Sequence, residues 1–255
     1  MFSVLTIPAF DDNYIWLIKD SQSQRCVVVD PGDATPVLEI LAAQNLTIEA
    51  IIITHHHHDH TGGVKDLVSD NPQIKVFGKT PLFENMYLVD EGDQVSFFDN
   101  KLTFNVWQVA GHTLDHIVYF NEEMLFCGDT LFSAGCGRVF EGTHLQMFDA
   151  LSRLATLDEN MKVYCAHEYT QNNLIFALHV DPHNSDLIAY IKQVSKLRQQ
   201  GLPSIPTTIK CQKLVNPFLR FDDEALVNNL QNILAKKITS GLQCFKELRL
   251  YKDHF

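Results

Sequence analysis

Short apolar runs separated by turn residues occupy the first two-thirds of the chain. The runs are rich in β-branched and aromatic residues, a composition and length that predict buried strands. They cover residues 26–29, 50–53, 104–109, 117–120, 124–127 and 162–165.

After about residue 170 the apolar residues recur with a period near 3.6, which predicts helices. One helix is predicted to begin with Asn184 or Ser185 as its N-cap and to end before Gly201. A second helix is predicted from Asp222, because acidic residues suit a first turn and an apolar stripe follows. Residues 202–208 carry prolines and are predicted to form a loop between the two helices.

The two patterns divide the chain into two predicted domains. A chain of 255 residues is long enough for one large domain with a small one. We place an α/β domain over residues 1–170 and a small α-helical C-terminal domain over residues 171–255. The predicted fold class is therefore α/β.

Composition narrows the choice of partners and compartment. The formal net charge of −11 argues against a nucleic-acid surface, because phosphate binding relies on clustered lysine and arginine. No stretch reaches the roughly 18 apolar residues that span a membrane, and the first residues lack a basic leader. The six cysteines form no C-x-x-C pair and receive no ligand role. We expect a cytoplasmic protein that binds neither nucleic acid nor membrane.

Possible metal ligands follow five of the predicted strands. Functional groups gather where strands end and loops begin, because the interior of a sheet is committed to packing. Taken alone, each of these histidines would more often be a hydrogen-bonded structural residue, and each aspartate a turn residue. Their joint placement predicts one shared site. The five residues are Asp30, His55, His112, Asp129 and His167.

The densest cluster of possible ligands is the run from Thr54 to His60. In an extended segment, His55, His57 and Asp59 have the same parity and point to one side, whereas His60 points elsewhere. Two divergent sets of ligands are therefore expected from one short segment. Four successive histidines can also be the scar of an affinity tag, but tags lie at chain ends and this run is internal.

The other histidines receive lesser roles. His56 and His58 have the opposite parity and are predicted to be spacers. Asp30 and His116 are predicted to orient the ligands through hydrogen bonds. No ligand role is predicted for His144, His179, His183 and His254.

A two-metal centre is the simplest use of these ligands. Imidazole and carboxylate are preferred by zinc, manganese and iron, and catalytic sites keep positions open for water. Such a centre lowers the pKa of a bridging water toward about 7 and polarises a carbonyl, which suits hydrolysis. The simplest partition assigns His55, His57 and His112 to one metal, Asp59, His60 and His167 to the other, and Asp129 to both.

The motif T-H-x-H-x-D-H at residues 54–60 is similar to the signature of the metallo-β-lactamase superfamily. Gly-His at residues 111–112 and Gly-Asp-Thr at residues 128–130 resemble its later ligand motifs. The resemblance implies an αββα sandwich with a di-metal site at one edge, in agreement with the strand-end placement.

Three further segments resemble the glyoxalase II family, the hydroxyacylglutathione hydrolases. They are P-A-F-D-D-N-Y-I-W at residues 8–16, C-G-D-T-L-F-S-A-G-C-G-R at 127–138 and A-H-E-Y-T-Q-N-N-L at 166–174. The resemblance implies hydrolysis of S-lactoylglutathione to glutathione and D-lactate, the second step of methylglyoxal detoxification. It also implies two divalent metal ions, zinc first with iron or manganese as alternatives. We expect a monomer.

The same resemblance implies glutathione contacts by Arg138, Tyr169, Arg249 and Lys252, the last two in an Arg-x-x-Lys pattern. These cations suit a tripeptide with two carboxylates, so an acidic protein keeps a basic cleft. Without the family pattern, Arg249 and Lys252 would be taken for a solvated helix end. The resemblance further implies that Asp59 orients the attacking hydroxide.

Two positions depart from the family pattern. Phe140 stands where some members carry a tyrosine, so a phenolic hydrogen bond is lost there while apolar packing remains. Asp115 replaces a glycine of the pattern Gly-His-Thr-x-Gly-His and brings a carboxylate close to the metals. It is expected to perturb either the local turn or the orientation of the ligands.

Two other functions stay open. A mononuclear iron dioxygenase that acts on glutathione persulfide would share the fold and consume oxygen. The helical C-terminal domain and G-C-G-R at residues 135–138 favour the thioester hydrolase. A non-catalytic metal-binding module is disfavoured, because closed structural zinc sites are usually rich in cysteine.

Overall fold

Two compact units make up the chain in the computed structural model, which describes residues 1–69 and 71–255. The first unit covers residues 1–108 and 115–128, and the second covers residues 109–114 and 129–255. The predicted domain boundary at residue 170 stays a prediction. Within the described ranges, no helix has the length and apolar character needed to cross a membrane.

The first unit consists mainly of strands, with helices in two of the connections. Its strands are β1 (Phe2–Ala9), β2 (Asn13–Asp20), β3 (Arg25–Val29), β4 (Thr47–Ile52), β5 (Lys75–Gly78), β6 (Tyr87–Leu88), β7 (Gln94–Phe97), β8 (Leu102–Gln108), β9 (Ile117–Phe120) and β10 (Met124–Gly128). Its helices are α1 (Thr35–Gln44), α2 (His58–Thr61) and α3 (Val64–Ser69).

Strands β1 to β6 form one mixed sheet in sequence order. Strands β1, β2 and β3 are antiparallel, whereas β3, β4, β5 and β6 run parallel. Parallel strands are usually covered on both faces, which explains why β3 and β4 are almost continuously apolar. On one face, Val37 of α1 and Leu67 of α3 pack with Val28, Ile51 and Val76 of the strands.

Strands β7 to β10 form an antiparallel sheet that faces the first one within the same unit. The rings of Phe77 and Phe97 meet edge to face at 5.5 Å between the two sheets. The backbone N–H of Ile117 donates to the carbonyl of Thr54 at 2.9 Å. This bond fixes the start of β9 beside the end of β4, where the histidine-rich run begins.

The second unit is mainly helical. Its strands are β11 (Leu131–Phe132), β12 (Gly135–Cys136), β13 (Lys162–Cys165) and β14 (Thr207–Thr208). Its helices are α4 (His144–Leu154), α5 (Thr170–Val180), α6 (Ser185–Gln199), α7 (Ile209–Val215), the 3-10 turn Pro217–Leu219, α8 (Glu224–Leu234) and α9 (Gly241–Asp253).

The six predicted strands and the two predicted helices are confirmed, with shifts of a few residues at some ends. Asn184, not Ser185, caps α6, because its side chain accepts from the backbone N–H groups of Asp186 and Leu187. Asp223 caps α8 in the same way. The predicted loop at residues 202–208 is partly wrong, since its last two residues form β14 against β13.

Candidate active site

The first unit places four possible ligands in the connection after β4. His55 and His60 are buried, and Nε2 of His55 lies 3.0 Å from Nδ1 of His57. The extended geometry predicted for this run is wrong, because residues 58–61 form α2. Asp59 therefore stands on a helical turn, with Oδ2 3.5 Å from Nε2 of His60. The pairing of Asp59 with His60 arises from this turn, not from strand parity.

Asp30 fixes the orientation of the neighbouring His60. It lies directly after β3 with a φ of 51° and is buried. Its carboxylate accepts the backbone N–H and the hydroxyl of Thr54, both at 2.7 Å, and faces Nδ1 of His60 at 3.0 Å. With Nδ1 turned to Asp30, Nε2 of His60 is the atom left to act as a ligand. The hydrogen bond between Asp30 and His60 thus supports the predicted role of Asp30 in orienting a ligand.

Two further side chains support this part of the site. The ring of His116 stacks on His55 at 4.6 Å, and Nδ1 of His116 lies 3.1 Å from the carbonyl of Ile117. Asn13 donates to Oδ2 of Asp59 at 3.0 Å and is buried. Asn13 was not predicted from the sequence to be part of the site, although it lies inside the D-D-N-Y-I-W segment.

The second unit brings two possible ligands, His112 and His167, to the carboxylate of a third, Asp129. Nε2 of His112 lies 3.4 Å from Oδ2 of Asp129, and Nε2 of His167 lies 3.3 Å from Oδ1. All three residues are buried. Nδ1 of His112 donates to the carbonyl of Arg138 at 2.9 Å, which leaves its Nε2 as the ligand atom. Asp129 thus presents a separate oxygen to each of two imidazoles, and its role as a bridging ligand stays a prediction.

The spacing of these atoms suits metal coordination. Separations of 3.3 to 3.5 Å are longer than good N–H···O hydrogen bonds. Two ligand atoms at zinc distance from one tetrahedral ion are about 3.4 Å apart. Imidazole nitrogen and carboxylate oxygen are also the donors that divalent zinc, iron and manganese accept. The histidine and aspartate clusters therefore fit a metal centre.

Gly128 permits the tight packing just before Asp129. Its φ is +48°, a conformation that other L-residues rarely adopt. A Cβ at this position would lie 2.4 Å from the hydroxyl of Thr54 and 2.9 Å from the ring of His116. A side chain at residue 128 would therefore displace the residues that support His55 and His60.

A cavity of about 350 Å³ opens within the second unit beside His112 and Asp129. Its wall combines three aromatic and three cationic side chains with a few small or polar residues. The complete lining is His112, Asp129, Phe132, Cys136, Gly137, Arg138, Phe140, Tyr169, Asn173, Arg249 and Lys252.

Arg249 is a buried cation of this wall. Only 2% of the residue is exposed, so the interpretation as a solvated helix end is wrong for it. Its Nη1 donates to the carbonyl of Cys136 at 2.9 Å, and its Nε and Nη2 donate to Asp253 at 3.1 and 2.9 Å. Asp253 therefore holds the guanidinium in place, a role that the sequence alone did not reveal.

Lys252 is the second inner cation. Its ammonium donates to the amide oxygen of Asn173 and lies 5.4 Å from the centre of the Phe176 ring. Burial lowers the pKa of Lys252 to about 7, and the neighbouring charge of Arg249 adds to the effect. Asn173 was missed from the sequence, because its contact with Lys252 joins residues 79 positions apart.

The other predicted substrate contacts lie at the same cavity. Arg138 is exposed, and its Nε lies 3.9 Å from Asp253. The ring of Tyr169 stacks on His167 at 4.6 Å with an angle of 6° between the planes. The four predicted glutathione contacts therefore line one cavity together with two proposed metal ligands.

Comparison with known proteins identifies the family. Residues 9–167 match the metallo-beta-lactamase superfamily, and residues 168–255 match the C-terminus of hydroxyacylglutathione hydrolase. The chain belongs to the hydroxyacylglutathione hydrolase family. Relatives are the hydroxyacylglutathione hydrolases of Psychromonas ingrahamii, 59% identical, and Photobacterium profundum, 49% identical. Both alignments cover the whole of each chain.

Solved structures agree on the fold of this family member. BLEG-1 B3 metallo-beta-lactamase superposes with a TM-score of 0.63 at 21% identity, over 86% of this chain and 99% of that one. ETHE1 from Myxococcus xanthus has a TM-score of 0.58 at 27% identity, over 90% and 98%. The predicted αββα sandwich, followed by the helical region α5–α9, is confirmed.

The departure from the family at Asp115 has a local explanation. Its carboxylate faces Nδ1 of His56 at 2.9 Å and accepts the hydroxyl of Thr80 at 2.7 Å. His56 is therefore more than a spacer, because it ties the loop after β4 to Asp115. The carboxylate is held by these two partners and fixes the loop that carries His55 and His57.

Proposed function

We propose that this chain hydrolyses the thioester of S-(2-hydroxyacyl)glutathione. S-Lactoylglutathione would give glutathione and D-lactate, the second step of methylglyoxal detoxification. The observation that carries the proposal is the cavity in which two possible metal ligands, His112 and Asp129, share a wall with Arg249 and Lys252. The full-length similarity to hydroxyacylglutathione hydrolases supports it.

Two divalent metal ions are part of the proposal, with zinc first and iron or manganese as alternatives. Ligand spacings within each unit and the superfamily match over residues 9–167 support a two-metal centre. We propose His55, His57 and His112 for one ion, Asp59, His60 and His167 for the other, and Asp129 as the bridge.

The residues of the chain have separate tasks in this reaction. The metal ions would lower the pKa of a water molecule and polarise the thioester carbonyl. Asp59, fixed by Asn13, accepts a hydrogen bond from the attacking water and orients it. Arg249, which is buried, and Lys252, which is half-buried, bind carboxylates of glutathione in the cavity.

The bond changes balance without a covalent intermediate on the protein. The water loses one proton to solvent, its oxygen adds to the thioester carbon, and the carbon–sulfur bond then breaks. Glutathione leaves as the thiolate, and the 2-hydroxy acid loses its proton to leave as the carboxylate. No cysteine or serine nucleophile is needed, and the free cysteines, Cys211 apart, are buried.

The test is thiol release from S-lactoylglutathione by purified protein, with bound metal measured on the same sample. A chelator should abolish thiol release, and restored zinc should recover it. Asp59→Asn should lose most turnover while the fold persists, and Asp66→Asn, an exposed carboxylate on α3, should keep it. An unchanged rate of thiol release in the presence of the chelator would refute the proposal of a two-metal hydrolase.

The alternatives give different readings in the same assay. An iron dioxygenase acting on glutathione persulfide would consume oxygen, which an oxygen electrode detects. A non-catalytic metal-binding module would leave metal-loaded protein inactive on every acyl-glutathione. A monomer in the cytoplasm remains a prediction, which size-exclusion chromatography and cell fractionation address.

A further inference from the structure

The connection after β4 is held at two points by neighbours within the first unit. The carbonyl of Thr54 accepts the backbone N–H of Ile117 at 2.9 Å. Two residues after Thr54, Nδ1 of His56 lies 2.9 Å from one carboxylate oxygen of Asp115. The other carboxylate oxygen accepts the hydroxyl of Thr80 at 2.7 Å. Asp115 therefore links the loop after β4 to the loop after β5.

The contacts of His56 continue to a proposed metal ligand. Its ring meets the ring of His57 edge to face, with 5.0 Å between the ring centres. Nδ1 of His57 in turn lies 3.0 Å from Nε2 of His55. A displacement of His56 would therefore move His57 and change the spacing between two imidazoles that are proposed to bind metal.

The contact between His56 and Asp115 is partly shielded from water. The exposed fraction of the side chain is 33% for His56 and 15% for Asp115. Hydrogen bonds to a carboxylate are stronger than bonds between neutral groups, and partly buried charges are screened less by salt. A glycine at residue 115, as in the family pattern, would offer neither His56 nor Thr80 an acceptor. The link thus depends on the residue at which this chain departs from the pattern.

We propose that Asp115 is a positioning residue that slows the release of metal from this site. The proposal rests on the function proposed above, because it requires that His55 and His57 bind metal. A metal ion can leave when the loop that carries its ligands opens, and segments with fewer contacts to their neighbours open more often. Groups that orient metal ligands typically change metal affinity by roughly 10- to 100-fold when they are removed.

The experiment measures the rate at which zinc-loaded protein loses zinc to an excess of a chromogenic chelator. Asp115→Ala should lose zinc about tenfold faster than the wild type. Alanine is used because glycine would also free the backbone. In Asp115→Asn, the amide oxygen can accept from His56 and the amide nitrogen can donate to Thr80, so the rate should return toward that of the wild type.

Two further variants complete the series. Thr80→Val removes one end of the link and keeps the shape of the side chain, so its rate should lie between those of the wild type and Asp115→Ala. It also preserves the test if the alanine variant fails to fold. Glu122→Ala is the matched control, because it removes an exposed carboxylate from the turn between β9 and β10. Its rate should equal that of the wild type.

Thermal unfolding separates positioning from a general loss of stability. The Tm of Asp115→Ala should fall further below that of the wild type in zinc-loaded protein than in metal-free protein, because weaker binding stabilises the folded chain less. Equal falls in the two states would mean that Asp115 supports only the fold, and the proposal would be overturned.

The rates of zinc loss give the other decisive outcomes. Equal rates for the wild type and Asp115→Ala overturn the proposal. An equally fast loss from Asp115→Asn and Asp115→Ala overturns it too, because the negative charge and not the link would then retain the metal. If the wild type releases thiol and binds zinc, these results concern Asp115 alone. If the wild type binds no zinc, the proposed function has failed and this proposal fails with it.

Discussion

Lys252 is a residue whose charge depends on its burial. The low dielectric around the ammonium and the nearby Arg249 lower its pKa to about 7, whereas Asp253 and Cys136 act in the opposite direction and Arg138 adds a weaker repulsion. The lysine is therefore charged below about pH 7 and loses its charge above it. If it binds a glutathione carboxylate, affinity must fall as the pH rises through this range.

Lys252→Arg tests this at the residue scale, because arginine keeps its charge at every accessible pH. The ratio of kcat/KM for the wild type to kcat/KM for Lys252→Arg should fall by up to about tenfold per pH unit above pH 7. This ratio reports the loss of charge on Lys252, because the pH dependence of kcat/KM reflects the pKa values of groups in the free enzyme. Asp253→Asn removes a charge that raises the pKa of Lys252, so the decline should move to lower pH. Glu224→Gln, an exposed carboxylate on α8, should not move it. Parallel profiles for the wild type and the arginine variant would contradict the role.

At the scale of elements, α6 shows what a cap contributes. Asn184 accepts the N–H groups of Asp186 and Leu187 at 3.0 and 3.1 Å and also donates to the carbonyl of Leu214. Asn184→Ala should lower the free energy of unfolding by about 1 kcal/mol or more. Ser185→Ala, at an exposed first helical position, should change it by less than about 0.5 kcal/mol. Urea unfolding measures the free energy of unfolding of the two variants, and equal losses of this free energy would contradict the assignment of Asn184 as the cap.

Elements with strong local signals were predictable from the sequence. Strands β3 and β4 are near-continuous apolar runs, and α6 combines a 3.6-residue period with a cap. These signals are local, so the three elements can be predicted without knowledge of distant contacts. Helix α2 was missed because a four-residue turn has no measurable period. The candidate ligands could nevertheless be proposed from the sequence, because they lie in segments that follow predicted strands, and the ends of those strands were nearly correct.

Contacts between residues far apart in the chain could not be predicted from the sequence. The bond between Arg249 and Cys136 joins residues 113 positions apart, and no periodicity reports such a distance. The alternative interpretation of Arg249 as a solvated helix end, which the sequence favours without the family pattern, is wrong for this reason, since the burial of Arg249 comes from tertiary packing. Polar residues such as Asn13 and Asp253 contact the proposed functional side chains, not the substrate or the metals. They do not follow predicted strands, so no strand-end signal marks them.

At the scale of the whole molecule, the proposed metal ligands come from positions as far apart as His55 and His167. Metal that binds only the folded chain stabilises it by about 2.7 kcal/mol at a free concentration 100 times the dissociation constant. For a chain of 255 residues this corresponds to a rise in Tm of roughly 5–10 °C. A chelator should therefore lower the Tm and the activity together.

Hydrogen exchange locates this effect along the chain. Metal removal should increase exchange at residues 54–61, 111–113, 128–130 and 165–169, because all four segments lose a ligand bond. Amides of α8 carry no proposed ligand and should exchange as before, which makes them the internal control. In Asp129→Asn, which weakens the bridge, the chelator should cause a smaller fall in Tm than in the wild type. Increased exchange confined to residues 54–61 would mean that the other segments hold no metal, and the two-metal centre would have to be abandoned.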